Sequence, residues 1–303
     1  MSNNFGKVAV LLGGISNERE ISLLSGNAVL AALIRMDIDA HPIDPMFYKL
    51  SNLKKNFFNR VFICLHGKDG EDGKVQGILD EMNIPYTGSG KFSSAKGMDK
   101  LISKSIWRDN NLCTPEFLRV EDIKDYDKIV NTLNLPFFIK PASSGSSIGI
   151  NKVNSEKEFI KAFEEAIIID SNVIAEKMIF GREYTLPIIG QTILPIIEIQ
   201  TKTDFYDYEA KYKRDDTKFI CPTDLPSNII NYANEISLRA FNLLGCDGWG
   251  RVDFILDDNN NFFIIEVNTI PGMTSHSLVP LSAKNDGISF DELALKILET
   301  SCA

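Results

Sequence analysis

Two apolar runs near the carboxyl end constrain the fold of this chain more than any other feature. Val252–Leu256 and Phe262–Val267 flank a polar segment, 257–261, of two aspartates and three asparagines. Apolar runs separated by such a segment are typical of two antiparallel strands joined by a turn. The sequence therefore predicts a β-hairpin, with a four-residue loop closed by Asp257 and Phe262.

The predicted register places two carboxylates against each other. Asp253 lies directly opposite Glu266. Arg251 lies opposite Asn268 on the same face, because side chains alternate along a strand. Facing carboxylates repel unless a cation lies between them. We therefore expect Asp253→Asn to weaken metal binding, to lower turnover and to raise the stability of the metal-free protein.

Oxygen ligands define the kind of metal site that this face could form. The Asp253 and Glu266 carboxylates and the Asn268 amide, with no Cys or His pair nearby, suit Mg²⁺ or Mn²⁺ rather than Zn²⁺. The alternative is an acidic, solvated hairpin face without a ligand. Arg251 and the Gly-, Pro-, Ser- and Thr-rich segment 269–277 favour a site, because functional residues concentrate in such loops.

Composition and charge exclude several classes of partner. The chain has 303 residues, of which 44% are hydrophobic and 24% charged, and these values are ordinary for a globular protein of about two domains. Its net charge of −9 should repel nucleic acid and anionic membranes, so neither is an expected partner. We expect a small ligand.

The amino-terminal residues and the cysteines indicate the compartment. An apolar run of five residues precedes Gly13 and Gly14, which is too short for a signal peptide or a membrane span. The five cysteines are scattered and include no CxxC pair, as is typical of reduced thiols. The expected location is the cytoplasm.

Two strand–turn–helix units occupy the amino-terminal part. Val8–Leu12 and Val61–Leu65 are short apolar runs, each followed by a glycine-rich turn and a helical pattern. Repeated units of this kind predict a doubly wound α/β domain, and we place its boundary near residue 95. Neither turn has the glycine spacing of a dinucleotide-binding or P-loop motif.

Polar residues in these turns are candidate ligand contacts. After the first strand a helix is expected from about Asn17, with Glu20 at capping-box spacing. Glu18 could meet a cationic group of a ligand at the end of the strand, or only complement the helix dipole. His66 could contact a ligand, although a lone histidine in a loop is more often structural.

A lysine and a serine-rich loop form a candidate phosphate site. A helix is expected over Lys96–Asn111, and an apolar strand over Leu135–Lys140. The loop 142–149, ASSGSSIG, follows directly. A lysine charge beside backbone N–H and hydroxyl donors suits a polyphosphate, and a flexible hairpin turn is the alternative.

Further segments complete the chain. We expect helices over Ser155–Ala166 and Asn228–Leu244 and strands over Val173–Lys177 and Ile193–Gln200. The end of the strand at 173–177 could hold a purine. The segment 203–219 lacks periodicity and carries Lys211 and Tyr212, and a connection of this length predicts a lid over an anionic ligand.

Eight motifs occur in an order typical of one enzyme family. They are LLGGISNEREISL, LHGKDGEDG, PYTGSG, MDK, KPASSGSSIG, YDYEAKY, GRVDFIL and IIEVNTIPGMTSHSLVP. Together they resemble the D-alanine–D-alanine ligase family of the ATP-grasp superfamily, over nearly the whole chain. The resemblance implies an α/β chain with α+β elements in the ATP-grasp architecture.

The family pattern implies three domains and a reaction in two steps. It gives an amino-terminal domain at 1–95, a central domain at 96–180 and a carboxyl-terminal domain at 181–303 with a lid at 203–220, with ATP between the last two. One D-alanine carboxylate takes the γ-phosphoryl group, and the amine of a second D-alanine attacks, leaving D-alanyl-D-alanine for peptidoglycan. The alternatives are another ATP-grasp carboxylate–amine ligase, a D-alanine–D-lactate ligase and a nucleotide-binding sensor without chemistry.

The resemblance also implies a role for each candidate residue. It assigns catalysis to Glu18, Ser146, Tyr212, Arg251 and Gly272, and substrate binding to Glu18, His66, Ser277 and Leu278. It assigns ATP binding to Lys100, Lys140, Ser147, Glu176, Lys177, Ile179, Glu183 and Lys211. It assigns two Mg²⁺ ions, or Mn²⁺, to Asp253, Glu266 and Asn268. A homodimer is implied as well.

Two places depart from the family pattern. Relatives often carry charged residues where Ser143 and Ser144 stand, and a large aromatic residue where Met178 stands. These departures are expected to alter nucleotide affinity or loop mobility without removing a catalytic group.

Overall fold

The part of the chain that the structure describes forms three β-sheets with helices packed on them. The structure is a computed structural model that describes residues 5–145, 147–201 and 217–301. Its strands are β1 Val8–Leu11, β2 Ala40–Ile43, β3 Arg60–Ile63, β4 Phe117–Val120, β5 Phe137–Pro141, β6 Asn151–Val153, β7 Val173–Lys177, β8 Arg182–Ile189, β9 Thr192–Ile193, β10 Ile197–Gln200, β11 Lys218–Ile220, β12 Trp249–Leu256 and β13 Phe262–Asn268. The helices that it describes are α1 Arg19–Arg35, α2 Lys74–Met82, α3 Lys91–Met98, α4 Lys100–Asp109, α5 Tyr126–Leu133, α6 Glu156–Ile169, α7 Ser227–Leu243, α8 Leu278–Asn285 and α9 Phe290–Thr300, with short 3₁₀ turns at Leu50–Asn52 and Ile123–Asp125.

The first sheet is parallel, with strand order β2-β1-β3. All four residues of β1 are buried, as expected for a central strand that is covered on both faces. The prediction of parallel α/β units is therefore confirmed. Leu293 and Ile297 of α9 lie in the same apolar core as this sheet. The end of the described chain thus packs against its beginning.

The start of α1 differs from the prediction. The helix begins at Arg19, so Asn17 lies in the preceding turn and the predicted capping box of Asn17 and Glu20 is wrong. Ser16 serves this turn instead, because its Oγ accepts a hydrogen bond from the Glu18 N–H at 3.2 Å. The two turns that follow β1 and β3 lie at the carboxyl ends of neighbouring parallel strands.

Asp99 divides the single helix predicted over Lys96–Asn111. It has an extended backbone, with φ −88° and ψ 107°, and separates α3 from α4. Its carboxylate accepts hydrogen bonds from the N–H groups of Leu101 and Ile102 at 2.9 and 3.1 Å. This is the N-cap arrangement that starts a new helix. Lys100 consequently lies in the first turn of α4.

The second sheet is antiparallel, with order β4-β7-β5-β6. Phe137 of β5 and Phe159 of α6 pack edge to face in its core, with ring centroids 6.2 Å apart. β7 coincides with the predicted strand, and α6 with its Ser155 cap extends three residues beyond the predicted end. The serine-rich loop follows β5 directly.

The third sheet carries the hairpin, with order β11-β10-β8-β12-β13 and β9 beside β8. The predicted pairs Asp253–Glu266 and Arg251–Asn268 are confirmed. The predicted four-residue loop is wrong, because Leu256 pairs with Phe262 and five residues form the loop. A β-bulge beyond Asp253 offsets this difference of one residue.

The bulge has a clear physical reason. Phe262 and Ile264 lie in the core beneath the hairpin, so regular alternation would direct Glu266 toward the same core. The extra residue, Ile265, reverses the alternation. Glu266 and Asn268 therefore share the opposite face with Arg251 and Asp253.

Three further predictions concern the remaining segments. α7 matches the predicted helix to within one residue at each end. The predicted strand Ile193–Gln200 is two strands, β9 and β10, separated by a short segment that includes Pro195. The predicted lid falls largely on residues 202–216, outside the described ranges, and its last residues form β11. No helix in the described ranges is long and apolar enough to cross a membrane.

Candidate functional site

A cleft of about 810 Å³ lies where the first sheet, the hairpin and the segment after it meet. The predicted site residues that line it are Glu18, His66, Lys100, Arg251, Glu266, Asn268, Gly272, Ser277 and Leu278. They come from four separate parts of the sequence, and the fold brings them together around one space. Its volume lies in the range of about 300–1,000 Å³ that small-molecule sites occupy.

A second, smaller cavity of about 90 Å³ adjoins the cleft. The predicted site residues that line it are Lys100, Lys140, Ser147, Glu176, Lys177, Ile179, Glu183, Asp253 and Glu266. Lys100, Ser144 and Glu266 line both spaces. A group could therefore pass from a ligand in one cavity to a ligand in the other at these three residues.

Protein cations lie beside both facing carboxylates of the hairpin. Arg251 binds Asp253 with two hydrogen bonds, each of 2.8 Å, and the Thr185 hydroxyl donates to the same carboxylate at 2.5 Å. The Lys100 ammonium lies 3.4 Å from Glu266 and donates to the Ser144 carbonyl at 2.9 Å. Protein cations thus partly neutralise both of the facing carboxylates.

The donor set of this face fits a hard divalent metal. Asp253, Glu266 and Asn268 offer carboxylate and amide oxygens on neighbouring strands, which are ligands that Mg²⁺ and Mn²⁺ accept. Among the described residues, no three His, Cys, Asp or Glu side chains converge as a metal site. The face supplies two carboxylates, so further ligands would have to come from a substrate phosphate or water.

Glu18 lies between two glycine turns. A β-carbon on Gly67, whose φ is +68°, would be 2.4 Å from the Glu18 Oε2, and one on Gly145 would be 3.4 Å from it. Glycine at position 67 therefore permits both the left-handed backbone and the close approach of the carboxylate. The turn after β3, the start of α1 and the serine-rich loop thus lie close together around one carboxylate.

His66 connects the first sheet to the segment after the hairpin. Its two ring nitrogens lie 3.3 Å from Glu71 Oε1 and 3.3 Å from Ser25 Oγ. The Ser25 hydroxyl in turn accepts from the Met273 N–H at 3.1 Å. This buried chain of contacts fixes the backbone beside Gly272, and His66 also lines the cleft.

The segment after the hairpin folds back on itself before α8. Ser277 Oγ accepts from the Thr274 N–H at 2.9 Å and would be 2.9 Å from a β-carbon on Gly272. Leu278 is the first residue of α8, so its N–H is among those left without a partner inside the helix. Such N–H groups, with the positive end of the helix dipole, suit a carboxylate.

Glu176 forms a buried ion cluster behind the smaller cavity. Its carboxylate contacts the Lys140 ammonium and lies 2.6 Å from the Lys104 ammonium. Burial raises the pKa of Glu176, but the charges of Lys104 and Lys140 lower that pKa by more, to about 2. Burial lowers the pKa of Lys104, and the Glu176 charge opposes this effect. Glu176 is thus ionised at neutral pH.

Three predicted site residues lie outside the described ranges, and two residues near the site were not predicted. Ser146, Lys211 and Tyr212 are not among the described residues. Glu71 and Lys104 were not predicted as site residues. A signal existed for Lys104, since it stands four residues after Lys100 on one helix, where like charges repel unless an anion is near.

Comparison with known proteins identifies the family. The model of the D-ala D-ala ligase N-terminus matches residues 49–89, and that of the D-ala D-ala ligase C-terminus matches residues 106–299. D-alanine–D-alanine ligase B of Chromobacterium violaceum is 49% identical over 98% of this chain and 98% of that protein.

Solved structures agree. The D-alanine–D-alanine ligase of Bacillus anthracis has a TM-score of 0.87 at 37% identity, and its complex with ATP 0.84 at 34%, each covering 98% of this chain and 97% of that chain. The VanG D-Ala:D-Ser ligase of Enterococcus faecalis has a TM-score of 0.85 at 29% identity, covering 98% and 99%. The ATP-grasp fold is confirmed, and the chain belongs to the D-alanine–D-alanine ligase family.

Proposed function

We propose that this protein joins two D-alanine molecules into D-alanyl-D-alanine, for peptidoglycan, with conversion of ATP to ADP and phosphate. The observation that carries the proposal is the junction of the two cavities at Lys100, Ser144 and Glu266. The larger cleft offers room and polar groups for two amino acids, and the smaller cavity offers lysines for phosphates. An acyl phosphate would form where the cavities meet.

In the larger cleft, charged ends of the amino acids meet complementary groups. Glu18 binds the ammonium group of the first D-alanine, with His66 beside it. Ser277 and the Leu278 N–H bind the carboxylate of the second D-alanine. Arg251 and the Gly272 N–H stabilise negative charge on the carbonyl oxygen during attack by the amine. Ser146 and Tyr212 belong to the same proposal.

In the smaller cavity, Lys100 and Lys140 bind phosphates, with Ser147 and Lys211 beside them. Glu176, Lys177 and Ile179 surround the adenine, and Glu183 binds the ribose. At about 90 Å³ the cavity is well below the size of a nucleotide site, so it must widen when ATP enters. Asp253, Glu266 and Asn268 would hold two Mg²⁺ or Mn²⁺ ions, which supply charge neutralisation for the phosphoryl group.

Several broader assignments belong to the same proposal. The chain divides into domains at 1–95, 96–180 and 181–303, with a lid at 203–220, and forms a homodimer. It works in the cytoplasm. The cysteines that the structure describes are unpaired, which fits a reducing compartment. D-Alanine and ATP are the partners, with neither nucleic acid nor a membrane surface.

The test supplies ATP, Mg²⁺ and one amino acid at a time and measures phosphate release and dipeptide. We expect release with D-alanine alone, and D-alanyl-D-alanine as the product. Absence of release with D-alanine would favour a nucleotide sensor. The main alternative function is ligation of D-alanine to a different second substrate, because a D-Ala:D-Ser ligase shares this fold. A mixed product that dominates when D-serine or D-lactate competes with D-alanine would show that the second-site assignment is wrong.

A further inference from the structure

One buried carboxylate at the smaller cavity is paired with two ammonium groups. Glu176, on β7, is 2% exposed, and one of its oxygens contacts the Nζ of Lys140. Its other oxygen lies 2.6 Å from the Nζ of Lys104. One counter-ion would be enough to neutralise a single carboxylate. The second ammonium therefore needs a separate explanation.

The two lysines are held differently. Lys104, on α4, is completely buried and donates to Thr114 Oγ1 at 2.8 Å. The Thr114 hydroxyl then donates to the Ile264 carbonyl at 2.8 Å, which fixes this arrangement to β13. Lys140 instead lines the smaller cavity at the start of the serine-rich loop. Lys104 is fixed behind Glu176, whereas Lys140 faces the space that a nucleotide would enter.

A triphosphate in this cavity would compete with Glu176 for Lys140. Phosphate oxygens carry more negative charge than one carboxylate and are strong acceptors for an ammonium group. If Lys140 were its single partner, Glu176 would become a buried, uncompensated charge, or it would take up a proton. Either change would prevent Glu176 from acting as a charged hydrogen-bond acceptor for the amino group of adenine.

We propose that Lys104 is a positioning residue for the nucleotide, which stays with Glu176 when the triphosphate takes Lys140. Glu176 then serves the base and Lys140 serves the phosphates, and neither loses its charge partner. The inference rests on the proposed placement of ATP in the smaller cavity.

Lys104→Met provides the test, because methionine has nearly the length of lysine without the charge. Without nucleotide, Lys140 still neutralises Glu176, so the variant should fold. Adenosine has no phosphate to draw Lys140 away, so it should bind the variant and the wild type with the same Kd. ATP should bind the variant at least about 10-fold more weakly, because Lys140 cannot serve two anions. Competition calorimetry measures both constants.

Two controls distinguish this role from a structural one. A Glu176→Gln variant has no carboxylate to neutralise at this position. Adding Lys104→Met to it should therefore leave the ratio of the Kd for ATP to the Kd for adenosine unchanged. Lys104→Gln repeats the main comparison with a polar side chain if the methionine variant does not fold.

Two results would overturn the inference. The first is an equal loss of ATP and adenosine affinity in the Lys104 variants, which would indicate a structural role. The second is no loss for either ligand. Unchanged ATP binding in Lys140→Met would show that the proposed placement of ATP is wrong, and the inference would fail with it.

Discussion

Single residues show why the candidate site tolerates two facing carboxylates. Arg251 holds Asp253 with two hydrogen bonds, and Lys100 lies beside Glu266. The stability increase expected from the sequence requires that repulsion between the carboxylates is unopposed without metal. Because both carboxylates already have protein cations, that requirement is not met. The structure therefore reverses the expected effect of Asp253→Asn on stability.

Asp253→Asn should lower the stability of the metal-free protein. The neutral amide cannot replace the carboxylate as acceptor of two charge-assisted hydrogen bonds, so the largely buried Arg251 guanidinium loses this charged partner. We expect the free energy of unfolding to fall by about 1–3 kcal/mol. Urea denaturation with a chelator present measures it. Equal or greater stability in the variant would show that the Arg251 pair contributes nothing.

Gly67→Ala should raise the KM for D-alanine. An added methyl group would lie 2.4 Å from Glu18 Oε2 and would displace that carboxylate. The left-handed backbone adds a cost of about 1–2 kcal/mol in stability. Steady-state kinetics with varied D-alanine measures the change in KM.

Gly287→Ala is the matched control for this substitution. Gly287 has a similar φ of +79°, and a β-carbon built there meets nothing within 4 Å. It should lose a similar amount of stability while its KM for D-alanine stays that of the wild type. A KM increase of equal size in both variants would mean that backbone strain, and not the position of Glu18, is responsible.

At the scale of elements, two local irregularities direct side chains into the site. The bulge at Ile265 directs Glu266 away from the core that holds Phe262 and Ile264. The break at Asp99 starts α4 at Lys100, whose backbone N–H donates to the Ala142 carbonyl at 3.0 Å. Both irregularities interrupt a regular element next to a residue that lines the cavities.

Asp99→Ala should reduce both stability and nucleotide use. Loss of an N-cap costs about 1 kcal/mol, and here it also loosens the helix turn that positions Lys100. We expect a raised KM for ATP in steady-state assays and a lower midpoint in urea denaturation.

Ser155→Ala removes a cap that lies at the start of α6, where the Ser155 hydroxyl accepts from the Glu158 N–H. It should cost similar stability and leave the KM for ATP unchanged. If both variants altered that KM equally, general loosening of the fold would explain the effect, and the position of Lys100 would not.

At the scale of the whole molecule, packing between distant segments makes stability depend on pH. The cluster of Lys104, Lys140 and Glu176 joins α4 to β5 and β7. Lys104 and Lys140 hold the pKa of Glu176 at about 2, below the ordinary value of about 4.3, although burial alone would raise it. The stability from this pairing is therefore complete above about pH 5 and is lost as the pH falls through about 2.

The free energy of unfolding should fall between about pH 5 and pH 2, and Glu176→Gln should flatten this decline. The glutamine has no proton to take up, although it lowers stability at neutral pH because two buried lysines lose their anion. Urea denaturation at a series of pH values measures the slope. Glu235→Gln, on an exposed part of α7, is the control and should keep the wild-type slope. If the wild type, Glu176→Gln and Glu235→Gln lost stability with falling pH at the same rate, Glu176 would not contribute to the loss of stability in acid.

The sequence by itself determined the local elements and the residue types of the site. The strand at β7 and the helix α7 follow from apolar periodicity and turn chemistry, which act between near neighbours. The pairs Asp253–Glu266 and Arg251–Asn268 also match the structure, but the predicted loop was one residue too short and the bulge at Ile265 offsets that difference. The ordered motifs also identified the family from the sequence alone.

Tertiary structure decided which charges meet and where regular elements break. Lys104 reaches Glu176 across 72 positions of sequence, and Lys100 reaches Glu266 across 166, so no local pattern fixes either pair. The bulge at Ile265 depends on which side of the hairpin faces a core built partly by α7. Such features arise because buried charges and apolar faces are satisfied by whatever the packed fold places beside them, and sequence periodicity does not carry that information.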